Sequence, residues 1–361
     1  MKTVVLMIDN LLGGGAQRST IKLATAFAKR NYKVIIIAMV NIVEFDIDNR
    51  IELKFLDFKK GAISYISYKK YAKKLRGILF SIEKRYGHIA FLAGSLGLTH
   101  KFMDMLNLNN AYYMLRGSTS HAKIGDREGI RKNIKTKKVK KLYNNKHLLC
   151  VSKGVEDDIL SIGVIPDSIQ TIYNPYVFDD IRKLALEKIE FGLDGDYLVH
   201  VGSFSYPKRH DILLKAFAKI KDKDIKLVLV GAGEEEGKIK QLVKELDIDD
   251  RVVFAGFHSN PYPIIKFSKI LLLTSDHEGL PTVLIEALSL GVKVVSTDCP
   301  SGPYEILAPE FENYLVPVGN IEIFAKKIDE VLDEDEVDIP KSLLNRFDED
   351  RVIKQYERLF S

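Results

Sequence analysis

Two glutamates, Glu278 and Glu286, have the chemistry and the spacing to bind a phosphorylated sugar. They lie eight positions apart in SDHEGLPTVLIEALSLG (residues 275–291). The pattern predicts a strand before this segment and a helix within it, with Glu278 at the mouth of the helix N-terminus and Glu286 slightly more than one turn inside. The positive end of a helix attracts an anion such as a diphosphate. The two carboxylates can then accept hydrogen bonds from sugar hydroxyls on either side of it, as the binding of a nucleotide-sugar requires.

The residues around this pair support the predicted local structure. ILLLT (270–274) is typical of a short buried parallel strand, Pro281 suits the first helical turn, and Gly291 suits the position after the helix. In the alternative interpretation both glutamates are solvated, as most loop and helix glutamates are. Glu286 fits that alternative less well, because Ile285 and other apolar side chains cover most of the helix and a buried acid needs a polar partner.

Two further loops carry groups that suit a diphosphate. SFSYPKRH (203–210) follows a predicted strand and places Lys208 and Arg209 directly before a helix. Two cations there can neutralise the charge that develops when a nucleoside diphosphate leaves a sugar. After the strand that follows the glutamate pair, the backbone of Ser301 and Gly302 can add N–H donors. For the cationic loop, a solvated surface loop is the alternative and carries equal weight.

A glycine-rich turn near the start of the chain offers a separate anion site. Gly13, Gly14 and Gly15 follow a predicted strand and open a helix, so the backbone can approach a ligand closely. The turn lacks the G-x-G-x-x-G spacing of dinucleotide sites, and the nearest acid, Glu44, lies beyond the following strand. A nicotinamide-dependent oxidoreductase is therefore disfavoured, and a plain tight turn is the alternative.

The charge of the chain is divided unevenly. Residues 1–180 hold 30 Lys and Arg against 16 Asp and Glu, a net charge of +14, whereas residues 181–361 carry −9. The densest basic stretch is 127–146, with nine Lys or Arg and one acid. It is either a solvated helix face or a surface that attracts anionic lipid headgroups or a phosphate-bearing acceptor. Nucleic acid is a weaker candidate, because aromatic residues scarcely interleave with these charges.

The composition and the order of elements indicate a two-domain α/β protein. Strand-like runs alternate with amphipathic helical patterns, which is typical of βαβ units and of doubly wound parallel sheets with ligand sites at the strand C-terminal ends. A length of 361 residues suggests two domains, with the boundary in about 177–195. No apolar run approaches the ~20 residues that span a bilayer. Two distant cysteines, Cys150 and Cys299, fit a reduced compartment and have no metal-ligand spacing.

With these motifs assembled, the sequence resembles family 4 of the glycosyltransferases, which are retaining, metal-independent enzymes of the GT-B architecture. The resemblance is carried by GGGAQR, VSKG, IYNP, VGSF…KRHD, LVLVGAGEEEGKI, VVFAGF, EGLPTVLIEAL and TDCPSGPYEIL, in this order along the chain. It implies two Rossmann-like domains with an interdomain cleft: an acceptor-binding domain over 1–180 and a nucleotide-sugar-binding domain over 181–340. It also implies that a final helix within 341–361 crosses back onto the first domain. The pattern predicts LLNRFDEDRVIKQYERLF (343–360) as that single helix.

The resemblance also assigns roles to individual residues. Glu286 is expected to bind the ribose hydroxyls, Glu278 the donor sugar, and Lys208 the diphosphate. Many relatives carry an arginine where this chain has Ser203, so either Arg209 substitutes for it or Lys208 acts with fewer partners. The candidate catalytic residues are Glu278, Lys208, Arg209, Arg116 and His121, the last two being alternatives for a histidine that relatives place near the reacting carbon. The candidate donor-binding residues are Gly14, Gly15, Ser203, Gly279, Leu280, Pro281, Thr282, Glu286, Ser301 and Gly302.

The expected reaction is retaining transfer of a hexosyl or N-acetylhexosaminyl group from a nucleoside-diphosphate sugar, with UDP as the expected nucleotide, and without a metal or cofactor. The expected acceptor is a glycan that belongs to a lipopolysaccharide, capsule or other polysaccharide precursor, such as one linked to undecaprenyl diphosphate. No carboxylate is recognisable as a covalent nucleophile, which favours a front-face route. We expect a cytoplasmic protein held peripherally on the inner membrane face by its basic half, with no nucleic-acid partner.

Two other classes of function stay open at the level of sequence. A sugar-nucleotide epimerase shares the two-domain architecture, and it would turn over a donor with no acceptor present. A non-catalytic protein that only binds a nucleotide-sugar would keep nucleotide affinity after Glu278→Ala without ever transferring sugar. The presence of Glu278, Lys208 and Glu286 together argues against loss of catalysis.

Overall fold

A computed structural model describes residues 1–12, 14–59, 65–95, 97–108, 110–125, 127–188, 195–335 and 338–360. Gly13 of the glycine-rich turn lies outside these residues, as do parts of the predicted boundary (189–194) and of the acidic segment before the C-terminus (336–337). The chain divides into two compact units, one formed by residues 1–176 and 347–361 and the other by residues 177–346.

Where the structure describes the first unit, it begins with seven strands and five α-helices. In chain order they are β1 (Thr3–Ile8), α1 (Gly15–Lys29), β2 (Lys33–Ala38), β3 (Ile51–Phe55), α2 (Tyr65–Tyr86), β4 (Ile89–Ser95), α3 (Gly97–Leu106), β5 (Ala111–Leu115), α4 (Gly129–Tyr143), β6 (His147–Cys150), α5 (Lys153–Ser161) and β7 (Ser168–Thr171). A π-helical turn, Ser120–Ile124, follows β5.

All seven strands of the first unit form one parallel sheet in the order β3-β2-β1-β4-β5-β6-β7. Every residue of β1 is buried, as in strands covered by helices on both faces. The chain runs from β1 outward through β2 and β3 and then returns to the other side of β1 with β4. This reversal of strand order opens a crevice at the C-terminal ends of β1 and β4, where doubly wound folds bind ligands.

The described residues of the second unit form six strands and eight α-helices. In chain order they are α6 (Phe178–Leu184), β8 (Tyr197–Val201), α7 (His210–Lys219), β9 (Lys226–Val230), α8 (Glu236–Glu245), β10 (Val252–Gly256), α9 (Tyr262–Lys266), β11 (Ile270–Leu273), α10 (Thr282–Ser289), β12 (Lys293–Thr297), α11 (Pro303–Leu307), β13 (Leu315–Val316), α12 (Ile321–Leu332) and α13 (Lys341–Asn345). The strands form a second parallel sheet in the order β10-β9-β8-β11-β12-β13, with its reversal between β8 and β11.

The C-terminal segment belongs to the first unit. Helix α14 (Glu349–Glu357) follows Phe347, and its Val352, Ile353 and Tyr356 enter the hydrophobic core around α1 and β1. The prediction of a single helix over 343–360 is wrong, because α13 ends at Asn345 and a separate helix, α14, begins at Glu349. The break is fixed by Asp348, whose carboxylate accepts from the backbone N–H of Asp350 at 3.0 Å and so caps α14.

The predicted α/β class with two parallel sheets is confirmed, and the differences are local. Strand β3 was not predicted because its sequence, IELKF, carries two charges, which an edge strand tolerates. Helix α3 was also missed. Pro281 was predicted inside the first turn of α10, but it precedes the helix and serves as its N-cap residue. Among the described residues, no helix is both long and apolar enough to cross a membrane.

Candidate functional site

Three loops of the second unit carry most of the candidate donor site. They follow β8, β11 and β12, which are neighbours in the sheet, so the loops emerge side by side at the C-terminal edge. The loop after β8 carries Ser203, Lys208 and Arg209, the loop after β11 carries Glu278, Gly279, Leu280 and Pro281, and the loop after β12 carries Ser301 and Gly302. Thr282 and Glu286 lie on α10, which the second of these loops enters.

An ion pair joins the first two loops. Lys208 Nζ donates to Glu278 Oε1 at 2.5 Å, and Ser275 Oγ donates to the same oxygen at 2.7 Å. The side chains of Lys208 and Glu278 are 22% and 13% exposed, so the pair is mostly shielded from water and yet open at one side. A charge-assisted bond in such surroundings holds both side chains in place. It also leaves an ammonium at the edge where an anion can reach it.

Arg209 is held differently from Lys208. Its guanidinium donates to Asp211 Oδ1 at 2.8 Å and to Asp276 Oδ1 at 2.9 Å, so it lies between two carboxylates. These partners, chiefly the hydrogen bonds to Asp211, raise the pKa of Arg209. A guanidinium whose charge is already balanced by two acids attracts a diphosphate weakly. The arrangement therefore favours Lys208 over Arg209 as the phosphate-binding cation in place of the arginine missing at Ser203. The hydroxyl of Ser203 contacts only Ser205 among the described partners.

Backbone hydrogen bonds tie the three loops together. The N–H of Asp276 donates to the carbonyl of Pro207 at 2.9 Å, which joins the loops after β11 and β8. The N–H of Glu278 donates to the carbonyl of Pro300 at 3.1 Å, which joins the loops after β11 and β12. Thr274 Oγ1 also donates to the carbonyl of Lys208 at 2.9 Å. Glu278 and Lys208 are thus positioned by the backbone as well as by their own ion pair.

Backbone strain is concentrated at this site. Of the seven non-glycine residues with positive φ among those described, five are Asn or Asp, which tolerate that conformation. The other two are Arg209 (φ 49°) and Ser301 (φ 71°), one in each outer loop. Such residues cost roughly 1–3 kcal/mol each and persist where the surroundings hold them, often at ligand sites.

Gly302 makes a close backbone contact that no other residue type permits. Its φ is 105°, and a Cβ there would lie 2.4 Å from Pro281 Cδ and 3.0 Å from Leu280 Cα. The backbone of the loop after β12 therefore packs directly against the backbone of Gly279 and Leu280 and against the ring of Pro281. This contact sets the position of the chain as it enters α10.

Helix α10 presents its N-terminus and a buried acid. Its N-cap residue Pro281 makes no side-chain cap, and its first turn contains no acidic residue. Glu286, 4% exposed, lies one turn further, and the hydroxyl of Tyr262 donates to its Oε1 at 3.3 Å. Tyr262 is the polar partner that a buried acid on this helix was predicted to need. Gly291 follows the helix with φ 78°, as predicted.

Two histidines lie buried behind the ion pair. His200 on β8 contacts the carbonyl of Leu272 through Nδ1 at 2.9 Å, so Nδ1 carries the proton, and its ring lies 4.7 Å from that of His210. The Nε2 atoms of both histidines are buried and have no hydrogen-bond partner in the described structure. Burial, with Lys208 nearby, lowers the pKa of His200 to about 4 and that of His210 to about 2. Both rings are therefore neutral near pH 7.

In the first unit, the glycine-rich turn is braced by Asn10. Gly14 is the N-cap residue of α1 and Gly15 its first residue, and a side chain at Gly15 would meet open space. Asn10 Oδ1 accepts from the N–H of Leu12 at 3.1 Å and from Gln17 Nε2 at 3.3 Å. The turn thus exposes backbone at the end of β1.

The alternatives Arg116 and His121 have different surroundings in the first unit. Arg116 Nη1 donates to the buried Asn174 Oδ1 at 2.5 Å, burial lowers its pKa, and its Nε is buried without a described partner. His121 is exposed, and its Nδ1 lies 2.9 Å from Ser118 Oγ. Ser118 Oγ in turn donates to Asp158 Oδ1 at 2.9 Å, so Ser118 accepts from the Nδ1–H of His121. The geometry favours His121 as the reactive group and Arg116 as a link between β5 and the segment after β7.

Comparison with known proteins identifies the family. Residues 182–349 match the family described as "Glycosyl transferases group 1". N-acetylgalactosamine-N,N'-diacetylbacillosaminyl-diphospho-undecaprenol 4-alpha-N-acetylgalactosaminyltransferase of Campylobacter jejuni is 26% identical over 93% of this chain and 92% of its own length. By this match, residues 182–349 belong to the group 1 glycosyltransferases. The family 4 recognition drawn from the sequence motifs is confirmed, and the matched segment contains every candidate residue of the three donor-site loops.

Two further comparisons extend this assignment. Lipopolysaccharide 1,6-galactosyltransferase of Escherichia coli is 34% identical to this group 1 glycosyltransferase over 179 residues, which is 48% of each chain. The crystal structure of Anabaena Alr3699/HepE in complex with UDP and glucose aligns with 99% of this chain and 99% of its own, with a TM-score of 0.73 at 16% identity. The likeness confirms the GT-B fold.

Several residues of the site were not singled out from the sequence. Ser275 and Asp276 lie beside Glu278 in the same loop, and their position before a helix was the available signal. Asp158 and Ser118 are 40 positions apart, and only the fold brings them together. No group of three or more His, Cys, Asp or Glu with the geometry of a metal site occurs among the residues that the structure describes.

The contact at Gly302 predicts a large loss of stability on Gly302→Ala. Alanine there is strained at φ 105° and also collides with the ring of Pro281 and the backbone of Leu280, so we expect urea unfolding of that variant to require about 2–4 kcal/mol less than for the unmodified protein. Gly291→Ala is the matched control: φ is 78° but nothing lies within 4 Å, and about 1 kcal/mol is expected. Equal losses for both variants would contradict the steric account.

Because His200 and His210 are buried and neutral, we expect the free energy of unfolding to fall in acid. A histidine whose pKa is lowered in the folded state contributes stability above about pH 6.5, and this is lost as the pH falls toward its folded pKa, because the unfolded chain takes up the proton first. We expect about 2 kcal/mol of unfolding free energy to be lost per such histidine between pH 7 and pH 5. His210→Phe keeps a ring against Phe204 and should reduce that loss by one histidine's share, measured by urea unfolding at both pH values. If His210→Phe lost as much unfolding free energy between pH 7 and pH 5 as the unmodified protein, His210 would not contribute to the acid sensitivity.

Proposed function

We propose that this group 1 glycosyltransferase transfers a sugar from a UDP-sugar to a glycan acceptor with retention of the anomeric configuration and without a metal. The observation that carries the proposal is the Lys208–Glu278 pair, held at 2.5 Å by three loops that backbone hydrogen bonds tie together. It places a cation and a sugar-binding carboxylate side by side at the entrance to α10. UDP is favoured because the Anabaena structure of the same fold is a complex with UDP and glucose.

In this proposal each donor group has a defined partner. The diphosphate binds the ammonium of Lys208, the N-terminus of α10 at Thr282, and N–H groups of Gly279, Leu280 and the Ser301–Gly302 turn. The ribose hydroxyls donate to Glu286, which already accepts from Tyr262. Glu278 accepts from hydroxyls of the donor sugar. Arg209 acts indirectly, because it fixes Asp276 and hence the loop that carries Glu278.

Chemistry at the anomeric carbon follows a front-face route. The bond from this carbon to the β-phosphate oxygen breaks, and the acceptor oxygen forms its bond on the face that the phosphate leaves. The acceptor hydroxyl gives its proton to the departing phosphate oxygen, so no protein base is consumed. Lys208 and the N-terminus of α10 stabilise the charge that develops on the diphosphate, which is the largest single contribution expected in such reactions.

The first unit binds the acceptor in this proposal. His121, whose imidazole is oriented by Ser118 and Asp158, is the proposed group beside the acceptor hydroxyl or the developing positive charge of the sugar ring. The relatives from Campylobacter and Escherichia are named for a lipid-linked diphosphate glycan and a lipopolysaccharide as their substrates. A glycan on a lipid carrier is therefore the proposed acceptor, and the +14 charge of residues 1–180 suits an anionic membrane face where such carriers reside.

A donor panel tests the proposal. UDP-, GDP- and ADP-sugars are offered with and without undecaprenyl-diphosphate-linked glycans, and nucleotide release and the product's anomeric configuration are measured by NMR. We expect release from a UDP-sugar only when an acceptor is present, with an α-linked donor giving an α-linked product. Glu278→Gln should lower the transfer rate by about 100-fold or more. Glu310→Gln, the same change at an exposed position of the same unit, should leave it unchanged.

The same panel separates the other functions. Conversion of the donor sugar without an acceptor would identify an epimerase instead. Binding of UDP with no turnover on any acceptor would indicate a binding protein. An inverted product would contradict the front-face route.

A further inference from the structure

A large cavity lies in the first unit, apart from the donor loops. Its volume is about 920 Å³, within the range of small-molecule sites. Asp9 and Asn10 at the end of β1 and Gly97 and Leu98 after β4 form part of its wall, so it occupies the crevice at the reversal of strand order. Asn10 also braces the Gly14–Gly15 turn, which places the exposed glycine backbone beside the cavity.

The cavity is lined by cations and apolar side chains. The cations are Lys101, Lys123, Arg127, Lys135, Lys138 and Lys141, and the apolar residues include Val40, Phe58, Leu98, Val139 and Leu142. None of the six cations forms an ion pair within the described chain. The lining acids are engaged elsewhere: Asp9 accepts from Thr99 N at 2.8 Å, and Asp104 lies 3.7 Å from Lys146. The cavity thus has surplus positive charge next to an apolar surface.

Lys123 is oriented by a chain of buried hydrogen bonds. His100 Nε2 lies 2.8 Å from the carbonyl of Gly94, so Nε2 carries the proton and Nδ1 accepts from the hydroxyl of Tyr143 at 3.0 Å. The oxygen of Tyr143 then accepts from Lys123 Nζ at 2.7 Å. His100 stays neutral because burial lowers its pKa to about 3. The chain uses one N–H of the ammonium and leaves two for a ligand.

Lys123 forms no ion pair among the described residues, and the charge of Asp9 offsets only part of the effect of its surroundings. Burial, followed by repulsion from Lys101, lowers its pKa to about 8. A lysine that is costly to charge, beside a second lysine and with no carboxylate partner in the described structure, gains stability when an anionic ligand enters. Phosphate oxygens satisfy several ammonium groups at once, whereas a carboxylate would satisfy fewer.

From this geometry we infer that the cavity binds the diphosphate of a polyprenyl-diphosphate-linked acceptor, with the phosphates on Lys123 and Lys101 and the first isoprene units on the apolar wall. The inference rests on the proposed function and names the acceptor class of the first unit. Lys138 and Lys141 extend the cationic wall along α4 toward solvent, whereas Lys137 on the same helix is exposed and does not line the cavity.

Calorimetry with farnesyl diphosphate, a short polyprenyl diphosphate, tests the site without any sugar transfer. Lys123→Met should raise the Kd for farnesyl diphosphate at least tenfold. Lys138→Met should raise it several-fold, and because this position is exposed the change does not endanger folding. Lys137→Met is the matched control and should leave the Kd unchanged, as should Glu278→Gln in the donor site. Farnesol and inorganic diphosphate, each offering half of the ligand, should both bind more weakly than farnesyl diphosphate.

The outcomes separate this site from the proposed reaction. If Lys123→Met and Lys138→Met transfer sugar to a lipid-linked glycan with unchanged KM, and bind farnesyl diphosphate with unchanged Kd, the cavity is not the acceptor site. The proposed transferase reaction would still stand. Lysine-dependent binding of farnesyl diphosphate without sugar transfer on any acceptor would support the cavity and overturn the reaction. Binding to phosphatidylglycerol vesicles is the comparison. The inference fails if the protein binds these vesicles but not farnesyl diphosphate, and if Lys123→Met and Lys137→Met weaken vesicle binding equally. The cations would then serve the membrane surface.

Discussion

The ion pair between Lys208 and Glu278 is the interaction on which the donor site depends. A lysine and a glutamate at 2.5 Å, both mostly shielded from water, cost desolvation energy that their attraction must offset, so the pair needs precise support. That support comes from Ser275, from the backbone bonds that join the three loops, and from the glycine contact at Gly302. In the proposed reaction, an arriving diphosphate competes with the carboxylate for the same ammonium, and donor binding redirects the glutamate toward the sugar.

The charges around this pair leave one cation, Lys208, able to exchange its carboxylate partner for a ligand. Arg209 is neutralised by two carboxylates and fixes the loop, while Lys208 has a single carboxylate partner that the sugar can draw away. The neutral histidines His200 and His210 lie behind Lys208 and add no positive charge near pH 7. In the first unit the balance is the opposite, because among the described residues six cations line a cavity whose two acids, Asp9 and Asp104, bind other groups. The two units thus suit two different anionic substrates.

Much of the fold and of the donor site could be predicted from the sequence because the signals are local. Apolar runs such as ILLLT, the spacing of Glu278 and Glu286, and Gly291 after the helix each depend on a few neighbouring residues. Residues that act across the fold gave no such signal. Asp158 reaches Ser118 because the fold places α5 near the segment after β5, and His100 reaches Tyr143 because it places α3 beside α4. The division of roles between Lys208 and Arg209, adjacent in sequence, depends on Asp276 and Glu278 about 70 positions away.

We propose that Lys208 is the cation that holds the donor diphosphate and that Glu278 restrains it until the donor arrives. Calorimetric titration of UDP into the unmodified protein, Lys208→Met and Glu278→Gln tests both roles. We expect a Kd at least tenfold higher for Lys208→Met. For Glu278→Gln we expect a Kd equal to or lower than that of the unmodified protein, because the ammonium loses its competing carboxylate. An unchanged Kd in Lys208→Met would rule out this role for the lysine.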